Sequence, residues 1–265
     1  MRRFTASYLR ETRRGMWDDD RSALSDLRLS ERGRILDIGC GEGALTRVLQ
    51  AECDCEVIGC DRDGALLSEV ETPAVRGDAY RLPFADDAVD LVVCQALLIN
   101  LADPVAAIRE FARVAAEAVA CIEPDNGAVS VESSVAAEAD LAEEARRRYI
   151  DGVDTDVTLG RRLGDLFAAA GIEDVRTRQH DRTMVVEPPY SAAAIEAAAR
   201  KARGEDLRRR RDTLTGEAEE LDELRGAWRA MGTEAVEQIE RGEYRRTETV
   251  PFYVTVGSVV DNPNS

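Results

Sequence analysis

Arg34-Ile-Leu-Asp37-Ile-Gly39-Cys40-Gly41-Glu-Gly43-Ala44 is the stretch on which the fold turns. Its apolar run, 34–39, reads as a buried strand that enters three glycines spaced two apart. Glycines permit a tight strand-to-helix turn and a close approach of a ligand to the backbone. Residues 44–51 then read as a helix. Working outward, 56–60 is a second strand ending at Asp61, 62–70 a helix, and 74–78 a short third strand. Residues 90–94 form a fourth strand, 104–115 a helix with Pro104 in its first turn, and 118–123 a fifth strand. Strands alternating with helices predict a parallel α/β sheet with right-handed crossovers.

The second half has a different texture. Residues 133–150 read as helical, with Leu141, Ala145 and Tyr149 on one face. Leu159, Leu163, Leu166, Phe167 and Ala170 make another amphipathic stripe, stopped by Gly171. A strand over 175–187 and a last strand over 250–260 predict a terminal hairpin whose arms are separated by a helical insertion at 191–243. Within it, Leu207, Leu214, Leu221 and Trp228 recur every seven residues. That seam either packs on its own domain or is shared in a homodimer, and Gly216 and Gly226 argue against one unbroken coiled coil. The basic run 208–211 could form a nucleic-acid patch, but with five acids beside it at 217–223 it reads first as a solvated helix face.

The chain has 265 residues, 52 acidic and 35 basic, for a formal charge of −17. Hydrophobic residues at 44 % are enough for a globular core. No apolar run approaches the ~20 residues of a membrane span. The start, Met1-Arg2-Arg3-Phe4, leads into polar residues, so no secretory leader is expected and the cytoplasm is the expected location. A nucleic-acid binder would normally be basic. Lys201 is the only lysine. Acid excess with arginine in place of lysine points to a halophile, whose salt screens the self-repulsion of a highly charged compact chain. A GC-rich mesophile is the alternative. Of the cysteines, Cys40, Cys60, Cys94 and Cys121 lie in or beside apolar runs, where cysteine is a small hydrophobe. Cys53-x-Cys55 lacks a second pair and His180 is the only histidine, so no metal site is expected and reduced thiols are the default.

By itself the glycine turn also satisfies the dinucleotide pattern through Gly39, Gly41 and Ala44, with Asp61 at the distance of a ribose-binding acid. The order of the motifs separates the readings. Asp37, two before the first glycine, suits a ligand whose near end is an ammonium group and sits poorly beside a pyrophosphate. This stretch resembles the first motif of class I S-adenosylmethionine (SAM)-dependent methyltransferases, acid-x-Gly-x-Gly-x-Gly. Asp61 stands where that family places an acid on both ribose hydroxyls. Asp78-Ala79 resembles the pair that meets the adenine. Residues 82–86 and 90–93 resemble the lead-in to strand four and the strand itself. The whole is similar to the small-molecule branch that includes ubiquinone and menaquinone biosynthesis methyltransferases, well over 33–125 and loosely over 157–187.

The resemblance implies a Rossmann-like, doubly wound, mainly parallel seven-stranded sheet with an antiparallel terminal hairpin and helical cap insertions. Its parts are an N-terminal segment 1–32, a core 33–125 continued at 157–187, insertions 126–156 and 188–246, and a last strand and tail 247–265. The insertions are expected over the carboxyl ends of the strands, where such sheets bind ligands. The implied cofactor is SAM, leaving as S-adenosylhomocysteine. The implied contacts are Asp37, Gly39, Cys40, Gly41, Asp61, Arg62, Asp78, Ala79 and Gln95. The implied acceptor is a small molecule. The Asn/Asp-Pro-Pro-Tyr-like motif of enzymes that methylate amide or adenine nitrogens is missing after strand four, which counts against a nucleic-acid substrate.

Methyl transfer from a sulfonium needs alignment and exclusion of water more than a dedicated base. Candidate acceptor-side groups are Glu123-Pro-Asp125, His180 and Tyr149, each with a structural reading beside it. The Tyr-x-x-x-Lys pair of short-chain reductases is absent, because Ala197 precedes Lys201 by four. A SAM-binding protein without turnover and a nicotinamide-dependent reductase remain the alternatives. Tyr8, Arg13, Arg14, Met16 and Trp17 cluster where a cover over the cofactor would begin.

Overall fold

The computed structural model describes residues 16, 17 and 21–259, and Tyr8, Arg13 and Arg14 lie outside the described residues. The chain divides into two compact units. The first takes the described residues up to Pro124, then Leu159–His180, then those from Phe252 on. The second takes Asp125–Thr158 and Asp181–Pro251.

In the first unit, β1 (Arg34–Ile38) pairs in parallel with β2 (Glu56–Asp61) on one side and β4 (Val89–Gln95) on the other. The short β3 (Ala74–Arg76) adds to β2, and β5 (Ala115–Pro124) adds to β4, also in parallel. The order is therefore β3-β2-β1-β4-β5, followed by β8 (Arg246–Ser258), whose residues 252–258 run antiparallel to β5. β1 and β4 are buried almost throughout, as expected of central parallel strands covered on both faces. The helices follow from local chemistry. α1 (Ala44–Glu52) starts at Gly43, which is left-handed at φ +79°. α2 is only Gly64–Leu67, shorter than the expected 62–70; Asp63 caps its start by accepting the N–H of Ala65. In α3 (Pro104–Val114), Asp103 accepts from Ala106 N and Pro104 opens the first turn. Its face of Ala107, Ile108, Phe111 and Val114 is fully buried on the sheet.

β7 (Glu173–Val186) pairs with β8. Thr177 lies against Thr255 and Thr183 against Thr249, so the expected terminal hairpin is antiparallel.

The second unit holds an element the sequence reading missed. Residues 130–133 form β6 (Ser130–Ser133), antiparallel to residues 246–249 of β8, where helix was expected from 133 onward. Ser-Val-Glu-Ser alternates polar and apolar over only four residues, too short a signal to outweigh the helical pattern after it. The helix, α4 (Glu138–Gly152), begins five residues later than expected. A short α5 (Leu163–Ala170) belongs to the first unit and ends at Gly171, left-handed at φ +86°. The long insertion becomes α6 (Ala192–Arg203), α7 (Glu205–Arg210) and α8 (Ala218–Glu240). Its breaks fall at Gly204 and around Gly216, while Gly226 lies inside α8, contrary to expectation. Leu207, Leu214, Leu221 and the half-buried Trp228 cover Ala145 and Tyr149 of α4, so the seven-residue seam is used within the chain. In the basic run, Arg209 and Arg211 pair with Asp206 and Asp222, and Arg210 lies over the Tyr149 ring.

A further correction concerns thiols. Cys53 and Cys55 form a disulfide, their Cα atoms 5.2 Å apart and within bonding range. The other four cysteines are free and buried. Among the described residues no helix is long and apolar enough to cross a membrane, and none of the acids, histidine or cysteines group in threes as metal ligands would.

Candidate functional site

The site grows from one turn. After β1 the backbone takes left-handed conformations at Gly39 (φ +67°), Gly41 (φ +59°) and Gly43. A Cβ at Gly39 would also stand 2.9 Å from Leu97 Cδ1, so a larger residue there would be strained and would displace that side chain. The N–H groups of Gly39 and Cys40 both donate to Cys60 O, at 2.7 and 3.2 Å. The next one, on Gly41, donates to Asp61 Oδ2 at 2.9 Å. Asp61 is thus tied to the turn through one carboxylate oxygen. Its other oxygen, Oδ1, accepts from Asp63 N at 2.9 Å. A carboxylate offers about four acceptor positions, so each oxygen retains one for an incoming hydroxyl.

Asp37 is 1 % exposed and accepts a hydrogen bond from Thr46 Oγ1 at 2.6 Å. Thr46, fully buried on α1, is a partner of Asp37 that the sequence reading did not name; its signal was a hydroxyl in the first turn after the glycines. Cys40 is buried, and burial with the nearby carboxylates of Asp37 and Asp61 pushes its thiol well above the usual range. The Cys60 thiol is pushed up to about 12, first by burial and then by Asp61. Both are neutral, inert side chains.

The remaining expected contacts divide. Gly77 N donates to Asp61 O at 3.1 Å, which brings the start of the Asp78 turn to the end of β2. Asp78 is exposed and accepts from Tyr80 N at 3.0 Å. Ala79 is buried among the core side chains. Arg62 is exposed, and its carbonyl accepts from Arg76 Nε at 3.0 Å. Gln95, at the end of β4, is 4 % exposed and engaged by the N-terminal segment: its Nε2 lies 2.8 Å from Met16 Sδ, and its Oε1 accepts from Trp17 Nε1 at 3.3 Å.

On the acceptor side, the structure gives each candidate another partner. Glu123 is completely buried and its carboxylate accepts from the backbone of 97–99. Asp125, also buried, accepts from Gly127 N. The His180 ring stacks on Trp17 at 4.7 Å, and its Nε2 is 3.2 Å from Met16 O. In the second unit, Tyr244 OH stands 3.4 Å from Lys201 Nζ, a tyrosine–lysine pair that no sequence spacing announced. Burial and Glu138 raise the Tyr244 phenol far above its ordinary value, so it stays protonated and donates to Glu138.

The sheet is Rossmann-like, with β8 antiparallel beside β5 and a glycine turn tied to an acid at the end of the next strand. Residues 36–122 match the methyltransferase-domain family. An uncharacterised methyltransferase of Schizosaccharomyces pombe is 31% identical over 125 residues, 41% of this chain and 45% of its own length. A demethylmenaquinone methyltransferase of Mycobacterium marinum is 37% identical over 97 residues, 36% of this chain and 42% of its own length. The chain thus spans under half the length of these curated relatives. Among solved structures, a Thermotoga maritima protein described as a SAM-dependent methyltransferase superposes with a TM-score of 0.53. That match covers 96% of this chain and 94% of the other at 15% identity. A Bacillus halodurans protein described as a methyltransferase gives 0.51 over 89% and 99% at 16% identity. At such identities these likenesses establish the fold.

Proposed function

We propose that the chain is a SAM-dependent methyltransferase that transfers a methyl group to a small-molecule acceptor by in-line displacement. The observation that carries this reading is Asp61: both oxygens are oriented by backbone N–H groups, and each keeps an acceptor position for one hydroxyl of a ribose diol. The turn fits the cofactor as well, because Gly41, left-handed and tied to Asp61 through its N–H, puts backbone without a side chain beside that acid. When bound, the cofactor supplies a methyl group already activated on a sulfonium. The protein's part is to hold it. Asp61 would take the ribose hydroxyls, Asp37 and the 39–41 backbone the amino-acid end, and Asp78 and Ala79 the base, with Arg62 and Gln95 as further contacts. Such positioning can lower the barrier by ~7–11 kcal/mol without a dedicated base. The small-molecule acceptor is supported by the missing nitrogen-methylation motif and by the quinone-pathway names of several relatives.

Calorimetry should show S-adenosylhomocysteine binding and no heat from NADH. Asp61→Ala should weaken that binding by roughly 1.5–3 kcal/mol, the range for hydrogen bonds to a charged group. Equal affinity of variant and wild type would remove Asp61 from the site, and NADH binding in place of the thioether would favour the reductase.

The halophilic reading carries its own expectation. With a formal charge of −17, thermal stability should rise from dilute to molar salt, through screening and stronger apolar burial. A melting temperature that stays flat or falls over that range would discard it.

A further inference from the structure

Glu123 closes β5 and has no exposed surface. Burying a carboxylate is costly unless its charge is met by good donors. Here Oε1 accepts from Leu97 N and Leu98 N, both at 2.8 Å, and Oε2 from Ile99 N at 3.4 Å. The thiol of Cys94 lies 3.8 Å from Oε1. These amides follow Ala96, which is left-handed at φ +50°, a conformation that residues with a Cβ rarely adopt. Such strain persists where the surroundings over-determine it, and it concentrates at functional sites. What holds this loop is the Glu123 carboxylate, the bond from Ala96 N to Ile122 O at 2.9 Å, and the bond from Asn100 Nδ2 to Ala96 O at 2.9 Å.

The loop matters because of where it puts Leu97. Its side chain fills the space that a Cβ on Gly39 would need, with Cδ1 only 2.9 Å from that point. Gly39 is the residue whose N–H opens the turn by donating to Cys60 O at 2.7 Å. The ends of β1, β4 and β5 are therefore linked in series: turn, leucine, carboxylate.

We propose that Glu123 is a positioning residue for the cofactor turn, its buried carboxylate fixing the backbone of 97–99 so that Leu97 stays seated against Gly39. This rests on the SAM reading of that turn and adds a residue that does not touch the ligand.

The test uses Glu123→Leu, which keeps volume but removes both acceptors, and Glu123→Gln, which keeps one acceptor oxygen. Two quantities are read on the full chain: amide hydrogen exchange at Leu97 and Leu98 without ligand, and the Kd for S-adenosylhomocysteine. Glu123→Leu should speed exchange at those amides and raise Kd by about tenfold or more, the scale of lost charge-assisted hydrogen bonds. Glu123→Gln should fall between it and wild type in both. If Glu123→Leu does not fold, Glu123→Gln carries the test, with faster exchange and a measurably higher Kd expected. Faster exchange with an unchanged Kd overturns the positioning role, as does unchanged exchange. A wild type that fails to bind the ligand overturns the cofactor reading itself and this role with it, and so is distinguished from failure of Glu123 alone.

Discussion

Replacing Glu138 by alanine should destabilise the protein by about 3–5 kcal/mol, read as a lower urea midpoint at neutral pH. Glu138 is 1 % exposed on α4 and is the hub of a polar cluster in the second unit. It accepts from Ser133 Oγ at 2.7 Å, from Tyr244 OH at 2.9 Å and from Lys201 Nζ, and Arg246 Nε lies 3.0 Å from its Oε1. Removing the carboxylate alone strands the ammonium of Lys201, whose side chain is 15% exposed and whose pKa burial already lowers. The double change Glu138→Leu with Lys201→Met leaves no stranded ammonium and should cost less than Glu138→Ala, although Tyr244 OH still loses its acceptor. A loss under about 1 kcal/mol for Glu138→Ala would show that the pair is not a determinant of stability.

The same group sets a pH dependence. Burial pushes the Glu138 carboxyl up, but Lys201, Ser133 and Arg246 together pull it below its ordinary value. A carboxyl lower in the folded than in the unfolded state contributes stability that is complete above the unfolded value of about 4.3. That contribution is lost as pH falls through the lower, folded value. Acid unfolding monitored below about pH 4 should therefore be steeper in wild type than in the double variant.

The second large effect contrasts two glycines on one helix. Gly226 and Gly232 both lie inside α8. A Cβ on Gly226 would meet nothing within 4 Å, whereas one on Gly232 would stand 2.2 Å from Ala202 N and 2.4 Å from Lys201 C. Those are backbone atoms of α6, which cannot rotate away as a side chain can. Gly232→Ala must push the helices apart and should cost about 2–3 kcal/mol, at the upper end for overpacking. Gly226→Ala should stabilise by roughly 0.5–1 kcal/mol through helix propensity. Guanidinium unfolding of the two variants would decide it. Equal shifts of the same sign would mean that the crossing of α6 and α8 is looser than these distances imply.

The residues that were legible in the sequence share a physical property: their signals are local. The glycine turn, Asp61 twenty residues after Gly41, the Asp103-Pro104 helix start and the Gly171 stop all depend on backbone geometry within a few residues or one βα repeat. That sufficed for a mainly parallel α/β sheet and for nominating the residues of the candidate site. It also sufficed for the apolar seam at 207–228, although not for its partner. The misreadings came where two patterns compete over a short span, as in the four-residue β6 placed before a strong helix.

What only the tertiary structure decided is the meaning of residues whose partners lie far along the chain. Glu123 reads as an exposed or acceptor-facing acid until the fold wraps it in the amides of 97–99. Glu138 and Lys201 are 63 residues apart, and Glu138 and Tyr244 are 106 apart. Gly226 and Gly232 are indistinguishable as letters, and differ only because another helix crosses at one of them. Local sequence fixes backbone conformation through sterics and hydrogen bonds to near neighbours. Which carboxylate is buried, and which donors meet it, depends on packing between distant segments, and no spacing within the chain encodes that.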